Sequence, residues 1–162
     1  MHDMFTSVIQ LLQVNDHLSN YAAVWCIAWA GYEAADIIPD DFSSCIFKRL
    51  VGLWERLDLP HEFMRMISWG LRSICKPDLQ KDVFPLAPGL AEAIEINYIA
   101  PRNAYDKQTA IHLAILMGHW TKEEIQNRLD SEETLFGFVR SSRFLKERGF
   151  HERGETAEII KK

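Results

Sequence analysis

Tyr21-Ala22-Ala23-Val24-Trp25-Cys26-Ile27-Ala28-Trp29-Ala30 is the longest uninterrupted apolar run in the chain, and its reading decides the fold. Ten residues cannot cross a bilayer, which takes about 20. Wound as a helix, the run is apolar on every face, and a helix apolar all round belongs in a core. Its four alanines let neighbouring helices approach closely. We therefore expect a buried central helix over residues 19–35, closed by Ile37-Ile38-Pro39, because the residue before a proline is pushed out of helical geometry.

On either side the apolar spacing stays helical. Met4, Phe5, Val8, Ile9, Leu11 and Leu12 recur in steps of three and four, with Asp3 in the first turn, so a helix is expected over about 3–14. Phe42, Ile46, Leu50, Leu53, Trp54 and Leu57 predict an amphipathic helix over 41–57. Pro60 suits the first position of the next helix and Glu62 its positive end. The core stripe of that helix is Phe63, Ile67, Leu71 and Ile74, and Lys76-Pro77 stops it. Residues 77–88, with three prolines and polar clusters between them, read as a loop. Leu90, Ile94 and Tyr98 mark a helix over 88–98, and Ala110, Ile111 and Ala114 one over 103–117. Thr121-Lys-Glu-Glu124 is a capping box, with Trp120 placed to staple onto Ile125. Asp130-Ser131 is expected to cap a last helix running through Leu135, Phe138, Val139, Phe144 and Leu145 to Gly149. The fold class is thus all-α, with seven or eight helices in one domain over residues 1–149 and a frayed, charged tail over 150–162.

Composition agrees with a folded chain. At 162 residues, 48% hydrophobic and 25% charged, it sits at the globular average. Cys26, Cys45 and Cys75 lie far apart among apolar neighbours, which suits small buried residues in a reducing compartment rather than a disulfide framework or a zinc site. No basic-then-apolar signal opens the chain, and a cytoplasmic location without membrane contact is expected. The net charge of −5 is unevenly spread. Residues 1–47 carry Asp3, Asp16, Glu33, Asp36, Asp40 and Asp41 with no Lys or Arg, a bias that steers a basic partner toward one end.

The residues offer little chemistry. His2, His17, His61, His112, His119 and His151 make none of the metal-ligand spacings used on helices, so no metal or cofactor is expected. Glu92 and Glu95 stand three apart, as paired carboxylates do, and with His112 they are the best candidates for an enzyme assembled from distant residues. Helical ribonucleases that use a closely spaced Arg and His invite comparison with Arg102 and His112, but the nine residues between them exclude it. Nucleic-acid binding would fall to Arg140, Arg143, Lys146, Arg148 and Arg153, which Glu147 and Glu152 dilute.

Trp69 falls off its helix's core stripe beside Met66, and aromatic and Met side chains are favoured in binding surfaces. The leading expectation is a non-enzymatic protein-interaction domain of the inhibitor, immunity or adaptor kind found in bacteria and phages. Its contact residues are Asp36, Asp40, Asp41, Met66 and Trp69. Helix packing order and oligomeric state are not encoded in any motif of the chain.

Overall fold

The computed structural model of the chain describes residues 2–34, 36, 38–56, 58–75 and 89–154. Leu57, the expected loop over 77–88 and the charged end over 155–162 lie outside the described residues. Among those described there is no strand, and no helix is long and apolar enough to cross a membrane. The all-α expectation holds. The contacts divide the chain into two compact units, Met1–Met117 and Gly118–Lys162. No linker composition announces that division. It falls at Gly118, whose φ of +59° lies in the left-handed region that ends helices and favours glycine.

The first unit contains α1 (His2–Gln13), α2 (His17–Ala34), α3 (Asp40–Trp54), α4 (His61–Ile74), α5 (Leu90–Ile99) and α6 (Ala104–Met117). Entry into α2 is set by polar side chains. Asp16 accepts from the Ser19 amide at 2.9 Å, and buried Asn20 donates to the Leu11 and Val14 carbonyls at 2.7 and 3.0 Å. Open carbonyls at the C-terminal end of α1 are thereby satisfied. Pro39 and Pro60 occupy the N-cap positions of α3 and α4, so Pro60 lies one residue before the helical position expected for it.

α4 is the hub, packing on α2, α3 and α6. The expected stripe of Phe63, Ile67, Leu71 and Ile74 is buried, as are Ser68 and Gly70 between them. Contact with α2 is close because the facing residues are small. Gly70 faces Ala28 and Leu50, and a Cβ on Gly31 would lie 2.9 Å from Ile74 Cγ2. α2 forms where the apolar run predicts it, but only one face is covered. Ala23, Val24, Ile27, Ala28 and Gly31 are buried, whereas Leu18, Tyr21, Trp25, Trp29 and Tyr32 are exposed. The expectation of a helix buried on every side is corrected on that second face.

A buried polar cluster joins α3, α4, α5 and α6. The Trp54 indole N–H donates to Ser68 Oγ at 2.9 Å, and the Ser68 hydroxyl donates to Asp106 Oδ1. Asp106 Oδ2 accepts from the Arg102 amide at 2.9 Å. The Arg102 guanidinium donates to the Trp54 carbonyl at 3.0 Å and to Asn97 Oδ1 at 2.8 Å. Each of these polar side chains thus has a partner, which is the condition for burying it without a large desolvation loss.

The second unit opens with α7 (Lys122–Ser131). Its capping box forms as the sequence predicts. The Glu124 amide donates to Thr121 Oγ1 at 3.2 Å and the Thr121 amide to Glu124 Oε2 at 2.7 Å. Trp120 and Ile125 are both buried, and the Arg128 guanidinium lies 3.9 Å from the Trp120 ring centroid. Asp130 and Ser131 are the end of α7 rather than a cap. The single last helix expected after them is broken into a 3-10 turn (Glu133–Leu135), α8 (Phe138–Ser141) and α9 (Arg143–Glu147). Gly137, at φ +79°, stops continuous winding, and Ser142 Oγ caps α9 by accepting from the Leu145 amide at 3.3 Å. Past Gly149 the chain is tied to α7: Gln126 Nε2 donates to the His151 carbonyl at 2.8 Å, and Phe150 and Glu152 are buried. The expected fraying therefore does not begin at residue 150.

Candidate functional site

The open face of α2 is the arc that the other helices leave uncovered. At 100° per residue, Leu18, Tyr21, Trp25, Trp29 and Tyr32 share one arc, and the buried Ala23, Val24, Ile27, Ala28 and Gly31 share the arc turned toward the other helices. Gly31 and Ala28 permit the close approach of α4 on that buried arc. Leu18 is 80% exposed, Tyr21 36%, Trp25 48%, Trp29 40% and Tyr32 65%. A contiguous apolar exposure of this kind marks a contact surface far more than scattered single residues do.

The row is locked by ring packing. Trp25 and Trp29 lie 5.9 Å apart between centroids. Trp29 meets Trp69 of α4 edge-on at 5.2 Å, and Tyr32 packs on the same Trp69 at 5.8 Å. Tyr21 reaches Phe63 at 5.8 Å. Tilted and edge-to-face arrangements at these separations are those that rings prefer, so the rings of the face support one another.

Where α2, α4 and α6 meet, the face dips into an open cleft of about 630 Å³ lined by Trp29, Tyr32, Glu62, Arg65, Met66, Trp69, Arg72 and Tyr105. Its far side is cationic. The Arg65 and Arg72 guanidiniums lie 5.0 and 5.8 Å from the Tyr105 ring centroid, and Arg72 donates to Gln108 Oε1 at 2.9 Å. Burial holds the Arg72 guanidinium below the usual arginine value, which leaves it charged at any ordinary pH.

Of the contact residues expected from the sequence, Met66 and Trp69 line this cleft together, both half-buried. Asp36, Asp40 and Asp41 do not line it. They are exposed in the turn after α2 and at the start of α3. All-round apolarity places Trp25 and Trp29 in the core by sequence; with Leu18, Tyr21 and Tyr32 they are the site residues that sequence reasoning misses. Nothing in the run itself sets them apart, because it is apolar on every face.

The other candidates are dispersed. His112 is buried in α6, Glu92 is exposed on α5 and Glu95 is half-buried, and none of the three lines the aromatic cleft. In the basic cluster, Arg140 pairs with Glu152 at 3.2 Å and Arg143 with Glu147, which offsets part of the charge that phosphate binding requires. Among the described residues no group of three His, Cys, Asp or Glu side chains is placed to hold a metal. Burial pushes the Cys75 thiol up to about 12, so it is not a nucleophile at neutral pH. Ser68 and Asp106, although hydrogen-bonded, are fully buried and serve the core. The chain matches no protein-family model, no curated protein and no solved structure.

Proposed function

We propose that this chain is a non-enzymatic protein-interaction domain that docks a protein partner on the aromatic face of α2, continued onto α4 by Met66 and Trp69. The observation that carries this reading is the row of five large apolar side chains left exposed along one arc of α2. Keeping such a row in water is unfavourable by roughly 25 cal/mol per Å² of apolar surface, and association removes that penalty. Aromatic residues, with only two side-chain torsions each, also lose little entropy on binding, as anchor residues of interfaces do. Asp36, Asp40 and Asp41 stand exposed just beyond the row in the chain and supply an acidic flank that attracts a basic partner.

The test is affinity capture from lysate of the native host with the wild-type chain, with Trp25→Ser/Trp29→Ser and with Asp36→Lys/Asp40→Lys/Asp41→Lys. Wild type retains a stoichiometric protein that the tryptophan variant loses. The lysine variant associates with it more slowly at low salt and normally at high salt, where the surface charges are screened. Identical retention by all three chains, each folded by circular dichroism, overturns the reading.

A further inference from the structure

The exposed row on α2 is symmetric about its middle residue. Counting from Trp25, Tyr21 and Trp29 stand four residues before and after it, and Leu18 and Tyr32 stand seven before and after. A two-fold axis through Trp25 therefore maps the row onto itself with the helix direction reversed. We infer that this face pairs with a second copy of the same chain, α2 antiparallel to α2, with Trp25 against Trp25, Tyr21 against Trp29 and Leu18 against Tyr32. The inference rests on the reading of this face as a contact surface and names its occupant.

Three features point to self-pairing rather than an unrelated surface. The first is compatible spacing: positions four and seven residues to either side of Trp25 fall on one helix face by the helical period, so the row meets the condition that a two-fold interface be self-complementary, residue i meeting j and j meeting i. The second is charge. None of the five residues of the row is charged at neutral pH, and the one carboxylate in all of α2 is Glu33, beyond the end of the row. Two copies of a chain with net charge −5 repel, yet this face can meet its like without placing carboxylates opposite one another at the centre. The third is size. At about 200 Å² for a fully exposed large side chain, the exposed fractions of the row amount to roughly 500 Å² per copy and, fully covered, roughly 1,000 Å² for the pair, the size of a small, weakly associating interface. The row runs over 14 residue steps, about 21 Å of helix at 1.5 Å each, long enough for two antiparallel helices to interlock as in a coiled-coil seam. An interface of this size assembles with concentration and does not require an obligate dimer.

The experiment is sedimentation equilibrium of the purified full chain from about 1 to about 100 μM, a range that spans micromolar dissociation constants, with two variants at exposed positions. Wild type reaches twice the 18.8 kDa chain mass. Leu18→Glu alone and Tyr32→Arg alone each remain at the single-chain mass, with wild-type helicity. Mixing these two variants restores the double mass, because the antiparallel register sets the introduced carboxylate at position 18 of one copy against the introduced guanidinium at position 32 of the other, while the opposite end keeps its native pair. A wild-type chain that stays at 18.8 kDa throughout overturns the inference. So does a dimer that both single variants retain, or a mixture that fails to reassemble. A monomer whose heterologous partner is still lost on Trp25→Ser/Trp29→Ser overturns self-pairing and leaves the docking reading standing.

Discussion

Replacing Gly31 with alanine puts the α2–α4 contact to a numerical test. In an exposed helix interior the change from glycine to alanine is stabilising by about 1 kcal/mol, because alanine gives up less backbone freedom on folding. At Gly31 the new methyl would lie 2.9 Å from Ile74 Cγ2, 3.0 Å from the Ser73 carbonyl carbon and 3.0 Å from Ser73 Cβ. Two of those atoms are fixed to the α4 backbone, so relief requires the two helices to move apart. Insertion of a methyl into a packed contact typically costs about 1–3 kcal/mol, and a clash with backbone belongs at the upper end. The net expectation is a loss of about 1–2 kcal/mol. Gly52, exposed on α3 with nothing within 4 Å of its would-be Cβ, is the control, and there the propensity gain of about 1 kcal/mol stands alone. The same substitution thus has opposite signs at two helical sites, separated by about 2–3 kcal/mol. Urea denaturation followed by circular dichroism reads both. A Gly31→Ala chain as stable as the Gly52→Ala chain would refute the close packing on which the exposure of the aromatic row depends.

Asp106→Ala should be among the most destabilising single changes, at about 3–5 kcal/mol, since it strips partners from the Arg102 side chain and the Ser68 hydroxyl inside the core; chemical denaturation checks it. Hydrogen bonds from Ser19 hold the Asp16 carboxyl below the ordinary aspartate range, and those from Thr121 do the same for Glu124. Their stabilisation is therefore complete above the ordinary carboxylate range and is lost as pH falls through the lower folded-state values. Glu124→Gln should flatten the acid limb of a melting-temperature profile without changing its neutral plateau in shape. With the Cys75 thiol pushed up to about 12 by burial and Cys26 exposed, a thiol reagent at mildly alkaline pH should modify Cys26 well before Cys75, which peptide mapping by mass spectrometry resolves.

The helices are legible in the sequence because their apolar stripes repeat at helical spacing: Phe63, Ile67, Leu71 and Ile74 on α4 are buried as the pattern requires. The capping box at Thr121 and Glu124 is equally plain, being a local arrangement within one turn. Breaks that depend on backbone sign are harder. Gly137 and Ser142 divide what the apolar spacing after Ser131 presents as one helix, because periodicity does not report a left-handed glycine. The aromatic face is the instructive miss. A run apolar all round satisfies the rule for a buried helix, but burial also needs neighbours on every side. Gly31 and Ala28 bring α4 close on one side of α2, and Trp25 and Tyr32 remain exposed on the other. Met66 and Trp69 stand out in the sequence because they fall beside a clear stripe, whereas Trp25 and Trp29 have no polar neighbours to set them apart.

Hydroxyl-radical footprinting of the five tryptophans tests the central claim most directly, because it reports both whether the α2 face is open and whether association covers it. In the dilute, isolated chain, Trp25 and Trp29 should oxidise rapidly and the fully buried Trp54 slowly. With the captured partner added, or at raised chain concentration, protection should appear at Trp25 and Trp29 and leave Trp54 and Trp120 unchanged. Oxidation of Trp25 and Trp29 as slow as that of Trp54 in the dilute chain, or at an unchanged rate in every assembled state, would contradict the account.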